Sequence, residues 1–190
     1  DAYEGELGKI APLVDRAQKS AAVVLAQQKV MTQVGGALRF VSRKSSDLSE
    51  AAETVSALKL QHGAPAGEVA ATGQLVMMAQ RIGKSASELL TVEGVSPEAI
   101  FLLGKDLNSF KELGQGLLDG NSEARLAPAR DAQTRDALAG VLKTYEEMRV
   151  QAGSILGNVQ ALAAVRDAQS AIVADSEPLR RDIENLQSRL

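Results

Sequence analysis

The sequence predicts an all-α protein, an elongated up-down helical bundle of about six helices. Apolar residues recur at alternating spacings of three and four along most of the 190 residues, the period of one helix face. The apolar share is 45% but the aromatic share only 3%, with no tryptophan. A core of Ala, Leu, Val and Ile suits close-packed helices better than a β-sandwich. Stop and start signals such as His62-Gly63-Ala64-Pro65 and Ser96-Pro97-Glu98 divide the periodic stretches.

The first helix covers about Tyr3 to Gln28, with Leu7, Ile10, Val14, Ala17, Ala21 and Val24 as a bundle seam. Pro12 is expected to kink it or to mark a later start, because proline has no amide hydrogen to donate to the preceding turn. The register shifts near Gly35-Gly36, and each glycine weakens a helix by about 1 kcal/mol relative to alanine. A bend or short break is therefore expected between Gln28 and Gly36. The second helix then runs to about Gln61, burying Val34, Val41, Ser45, Leu48, Ala52 and Val55. Gly63 suits a left-handed cap, and Pro65 stops one helix and opens the next. The sole histidine, His62, sits at this end. It reads either as a pH switch or ligand, or as a cation at a helix C-terminus. One histidine without a partner makes no metal site.

The third helix, about Pro65 to Thr91, carries a stripe of Val69, Thr72, Val76, Ala79, Ala86 and Leu89, with Ile82 and Gly83 sharing one turn. Thr91 to Val95 reads as a loop. Ser96, Pro97 and Glu98 supply an N-cap, a first-turn proline and an acidic first turn for the fourth helix. Its seam is Ile100, Leu103, Leu107, Phe110, Gly114 and Leu117, and Leu118 to Asn121 end it. A polar loop crosses to Asp131. The fifth helix has the cleanest heptads: Leu138, Val141, Tyr145, Met148, Ala152, Ile155, Val159 and Leu162. The phase slips between Gly157 and Val165, and the sixth helix follows with Val165, Ala168, Ile172, Ser176, Leu179, Ile183, Leu186 and Leu190. Pro178 is expected to kink it or to set its start near Ser176.

The first and last thirds repeat at one ungapped offset of 131 residues, which pairs Val141 with Ile10, Val165 with Val34, Ser176 with Ser45 and Leu186 with Val55. The phase slip recurs at the same place. Two helix–break–helix units thus bracket the central hairpin. If each break is a bend within one rod, the molecule is elongated, since a 30-residue helix is about 45 Å long.

Composition excludes several functions. A formal net charge of -3 suggests no nucleic-acid partner. The absence of cysteine removes disulfides, thiolate metal sites and a cysteine nucleophile. No phosphate-binding loop is present. Glu146 and Glu147 are adjacent and so diverge on a helix, and Asp15, Asp106, Asp131 and Asp182 are scattered on polar faces. An enzyme is not expected, nor a cofactor. No apolar run approaches the roughly 20 residues that span a bilayer. Both termini read as charged helices cut from something longer, Asp1 to Lys9 and Arg180 to Leu190.

Arg81 lies at the edge of the third helix's stripe, flanked by Gln80, Ile82 and Lys84. A guanidinium there offers a planar fork of donors with a permanent charge, which fits an anion site. It also fits, and by chemistry alone fits better, a snorkelling side chain with its stem on apolar surface and its head in water.

The segment Met78-Ala79-Gln80-Arg81-Ile82-Gly83-Lys84-Ser85-Ala86 resembles the SQRIxKxA element of PilJ-type sensor modules. These occur in type IV pilus methyl-accepting chemotaxis proteins and, in related form, in nitrate-sensing histidine kinases. The stretches from His62 to Asn121 and from Val165 to Ala168 are also similar to that family. The resemblance implies a periplasmic sensory domain of an inner-membrane receptor, homodimeric in the full protein. Such a domain signals to a cytoplasmic chemotaxis kinase and its coupling proteins and so controls twitching motility. Type IV pilin, or another pilus or periplasmic protein, is the implied partner. It further implies a second, four-helix sensor module at 63–190, preceded by a helix pair, 1–33 and 34–62, shared with or belonging to a first module. In the nitrate sensors an arginine of the corresponding helix binds the anion, which makes Arg81 the implied ligand residue, with Gln80 and Lys84 as its neighbours. Met77-Met78-Ala79 departs from the nitrate-sensor approach to this motif. Three readings stand: a receptor domain recognising a protein, a small-anion sensor using Arg81, and a helical spacer without a ligand.

Overall fold

The computed structural model describes residues 2–91 and 96–189. It holds six helices: α1 (Ala2–Ala26), α2 (Gln28–Gln61), α3 (Ala66–Thr91), α4 (Pro97–Asp119), α5 (Ala132–Leu156) and α6 (Val159–Gln187). The segment 92–95, most of the expected loop after Thr91, lies outside the described residues. Helices α2 to α5 form an up-down four-helix body, in which α2 packs along α3 and α5, and α4 closes the ring between them. Helix α1 pairs with α6 and barely meets α2. The result is a four-helix body on a two-helix stalk.

The seams expected from periodicity are buried in the body except on α3, where Leu75 takes the core position and Val69 and Val76 are half-buried. Val34, Val41, Leu48, Ala52 and Val55 of α2 face Leu75, Ala79, Ile82 and Ala86 of α3 in one continuous core with Ile100, Leu103 and Phe110 of α4 and Leu138, Met148 and Ile155 of α5. Phe110 and Tyr145 stack with ring centroids 5.7 Å apart, an offset arrangement that favours aromatic pairs beyond their burial. Burial pushes the Tyr145 phenol up, against the pull of Arg149.

Both expected breaks are bends, but the first is not where the glycines stand. Helix α2 runs unbroken through Gly35-Gly36, and the break is at Gln27. The amide of Gln27 still donates to Val23 (3.2 Å) and that of Met31 to Gln27 (2.9 Å), so the hydrogen-bond ladder crosses it. The second break is at Gly157-Asn158, where Gly157 donates to Gly153 (2.9 Å) and Asn158 to Ile155 (3.2 Å). The Asn158 side-chain amide donates to the Ser154 carbonyl at 2.6 Å, taking the acceptor that its own backbone would have used in a continuous helix. Gln27 and Asn158 are equivalent in the 131-residue repeat. At about 1.5 Å per residue, the α1–α2 rod alone runs to roughly 90 Å of helix.

Neither proline ends its helix. Pro12 lies inside α1 and Pro178 inside α6. Pro12 is exposed, so the carbonyl it leaves without a donor can bond to water.

The end of the body remote from the stalk carries two connections. The α2–α3 turn is short, with Gly63 at φ 65° where only glycine sits without strain. Beneath it the Lys59 ammonium donates to Glu68 at 3.1 Å, with both side chains nearly buried. The α4–α5 loop is longer and ordered. Asn121 and Leu126 form an antiparallel bridge, Leu126 and Ala129 are buried, and Arg135 donates to the carbonyls of Leu118 and Ala129 at 3.1 and 2.8 Å. No helix among the described residues is long and apolar enough to cross a membrane.

Candidate functional site

Helix α3 places the three implied ligand residues, and its geometry separates them. Each residue turns about 100° from the last, so Gln80 and Lys84 stack on one face while Arg81 points to another. Arg81 faces α4. Its Nε donates to Asp106 Oδ2 at 2.8 Å and its Nη2 to Oδ1 at 2.7 Å. This is a bidentate clasp, the geometry that suits a guanidinium to a carboxylate. Asp106 is only 16% exposed at its side chain against 49% for Arg81, so the carboxylate is the better covered partner. Asp106 is thus not simply a solvated surface group, as its place on a polar face suggested. It occupies the Nε–Nη2 edge of the guanidinium.

Gln80 and Lys84 line a different place, a groove of about 580 Å³ between α2 and α3. Its floor is small side chains: Ser42, Ser45, Ser46, Ser49, Gly83 and Ser87. Ser42 and Ser87 share a hydrogen bond across the helices at 2.7 Å, and Ser45 turns its hydroxyl back to the Ser42 carbonyl at 2.7 Å. Lys84 reaches Glu88 of its own helix at 3.8 Å. A Cβ on Gly83 would overlap the Ser45 hydroxyl and stand 2.7 Å from its Cβ, so the groove is shallow because the two backbones nearly touch. The structure therefore brings Gln80 and Lys84 together and leaves Arg81 out.

Sequence reasoning passed over three features. The buried Lys59–Glu68 pair spans nine positions across a turn and has no periodic signature. Asp106 lies 25 residues from Arg81, beyond any local spacing rule. The serine floor was visible, since Ser42, Ser45, Ser46 and Ser49 recur at helical spacing.

The remaining polar geometry is capping. Ser96 caps α4, accepting from the Ala99 amide at 3.5 Å and donating to Glu98 at 2.7 Å; that bond holds the Glu98 carboxyl below its ordinary range. Asp131 caps α5, accepting from the Thr134 amide at 2.8 Å. The Thr134 contact, with His62 beside it, lowers the Asp131 carboxyl, and His62 Nε2 stands 3.4 Å from it. Among the described residues no three His, Cys, Asp or Glu side chains gather to hold a metal. This polar geometry caps helices and pairs charges.

Against known proteins, residues 60–171 match the family described as PilJ, the type IV pili methyl-accepting chemotaxis transducer N-terminal domain. The match covers α3, α4, α5 and part of α6. The chain is also 28% identical over 127 residues to Protein PilJ of Pseudomonas aeruginosa. That stretch covers 67% of this chain and 19% of that protein, so the chain spans about a fifth of this relative's length.

Proposed function

The chain belongs to the PilJ family of type IV pilus chemotaxis transducer N-terminal domains, and from that premise we propose that it is the periplasmic ligand-sensing part of such a receptor, recognising type IV pilin or another surface-exposed protein. The observation that carries this reading is the family match across α3, α4, α5 and part of α6, together with the state of Arg81. Asp106 already takes the Nε–Nη2 edge of the Arg81 guanidinium, so an anion at that edge would have to displace a carboxylate. Protein recognition uses exposed helix faces and loops, which this body presents on all sides. The signal would pass through the α1/α6 stalk to membrane spans, and beyond them to a chemosensory kinase that controls twitching.

The stalk supports a homodimer. Leu7 and Val14 of α1 and Ile172 and Ile183 of α6 belong to the sequence seams, yet pairing of α1 with α6 leaves them 44%, 37%, 36% and 39% exposed. A second copy's stalk would cover them and complete a four-helix shaft. For the modules of the longer receptor, the packing of α2 against α3 and α5 favours grouping 34–62 with 63–156.

The anion reading, with Arg81 as ligand and Gln80 and Lys84 beside it, makes a distinct prediction. Asp106→Asn would free the fork and tighten anion binding, and Arg81→Ala would abolish it. The deciding experiment is calorimetric titration of the domain, its Arg81→Ala variant and its Asp106→Asn variant with the soluble part of the major pilin and with nitrate. Saturable pilin binding that survives Arg81→Ala supports the protein reading. Nitrate binding strengthened in Asp106→Asn, with no pilin binding, replaces it with the anion reading. Silence in every titration leaves the helical spacer.

A further inference from the structure

The α4–α5 connection runs from Gly120 to Asp131, longer than the roughly 2–8 residues that usually join helices of a bundle. The neighbouring α2–α3 turn manages with His62 to Pro65. Extra length of this kind is ordinarily loose, and here it is fastened at every step. Gly120 takes φ 88°, and a Cβ on it would stand 3.0 Å from Pro128. The Asn121 side chain accepts from the Ala124 amide at 3.1 Å. The Ala129 amide donates to Leu118 at 3.1 Å, while Leu126 is anchored in the core. The loop is a rigid projection at the end of the body remote from the stalk.

Arg125 occupies its summit at φ 55°. Glycine or asparagine adopts that left-handed backbone readily, and an arginine does so at a cost. The backbone there serves the turn, since the Arg125 amide donates to Ser122 at 3.2 Å ahead of the Asn121–Leu126 bridge, but that turn calls for no arginine side chain. The Arg125 guanidinium has no hydrogen bond or ion pair with the described residues, and neither has Arg130 at the loop's other end. The nearby carboxylates are engaged: Asp119 with Arg135 at 3.7 Å, Asp131 with Thr134 and His62. On the loop itself Glu123 has no ion pair or hydrogen bond among the described residues. The loop thus carries two guanidiniums without a partner among the described residues, on a backbone tied to the body by hydrogen bonds and the buried Leu126 and Ala129, against one such carboxylate.

We propose that this tip is a protein-docking surface on which Arg125 and Arg130 take carboxylates of an acidic partner surface. Arginine forks recognise carboxylates bidentately, and a rigid loop presents them without an ordering cost on binding. The choice of pilin as probe rests on the function proposed above.

The test uses the double variant Arg125→Gly/Arg130→Ser. Glycine suits the left-handed position, so the single change Arg125→Gly should leave the melting temperature equal to wild type or higher. The domain and the double variant are titrated with the soluble part of the major pilin, and the same two changes are placed in the full-length receptor and twitching is scored. The expected result is a folded variant with pilin affinity weakened by about tenfold or more, wild-type binding that weakens with salt, and a receptor that no longer responds. A variant that binds pilin like wild type overturns the proposal and leaves the pilin reading standing. If wild type does not bind pilin, that reading fails, and the receptor assay decides the tip by itself. A lost response keeps the docking surface for another acidic protein, and an unchanged response overturns it. A lower melting temperature for Arg125→Gly makes Arg125 a structural residue and overturns the proposal as well.

Discussion

Gly83 marks the closest approach of α2 and α3, because any side chain there would overlap Ser45. The same closeness leaves the serine-floored groove shallow, and it sets the hairpin that carries Arg81 on its outer face. One turn from the end of that hairpin, Lys59 and Glu68 are 7% and 11% exposed at their side chains. Two charges taken out of water are stable only as a pair, and removing one partner strands the other. Lys59→Met is therefore expected to lower stability by about 3–5 kcal/mol, while Lys59→Met/Glu68→Leu should return close to wild type or above. Urea denaturation of both variants checks this; equal losses in the two would show that the pair contributes by packing alone. Arg81 and Asp106 differ from that pair in their exposure. Their coupling in a double-mutant cycle should be about 1 kcal/mol or less. The identities of these residues are plain in the sequence, but their partnerships are not. A charge on a polar face reads the same whether it meets water or a carboxylate on the next helix.

At the scale of elements, helix ends were the most legible features. Ser96-Pro97-Glu98 and Asp131 were read as caps or boundaries, and each does its work through one hydrogen bond to the third residue on. Capping is a local affair of four residues, so sequence carries it. The Asp131 cap also has a pH signature. Its carboxyl is lowered in the fold from the ordinary value of 3.8. A lowered carboxyl stabilises the fold fully above its unfolded value and loses that contribution as pH falls through the folded one. The gap in melting temperature between wild type and Asp131→Ala should thus be constant at neutral and mildly acidic pH. It should close only below about pH 3.8. The breaks were less legible. The glycine pair drew the expected bend into α2, but a helix buried on one face tolerates two glycines when tertiary packing outweighs their propensity. The bend at Gln27 has no composition signal of its own. Only the repeat, which pairs it with Asn158, points there.

At the scale of the molecule, the change from a four-helix body to a two-helix stalk is the organising fact. A helix pair alone buries one side of each member. Its exposed Leu7, Val14, Ile172 and Ile183 account for the seams that the stalk's own pairing does not use. The proposed dimer makes a direct prediction. Leu7→Glu/Val14→Glu should shift sedimentation from dimer to monomer while the body keeps its melting behaviour, because the body's core contains neither residue. A wild-type chain that stays monomeric at high concentration, or a variant that still dimerises, would remove the stalk as the interface.

The sequence by itself determined the helices, their seams, their caps and the repeat, because periodicity and capping act over a turn or two of chain. It also carried the family, through a motif on α3 and the loop lengths around it. What the tertiary structure decided is which helix meets which. The pairing of α1 with α6, the insertion of α2 between α3 and α5, the capture of Arg81 by Asp106 and the rigid posture of Arg125 all join residues or faces that local spacing does not relate. Packing selects among equally amphipathic helices by shape and by the few close approaches that glycine and serine permit, and that choice exists only once all the helices are assembled.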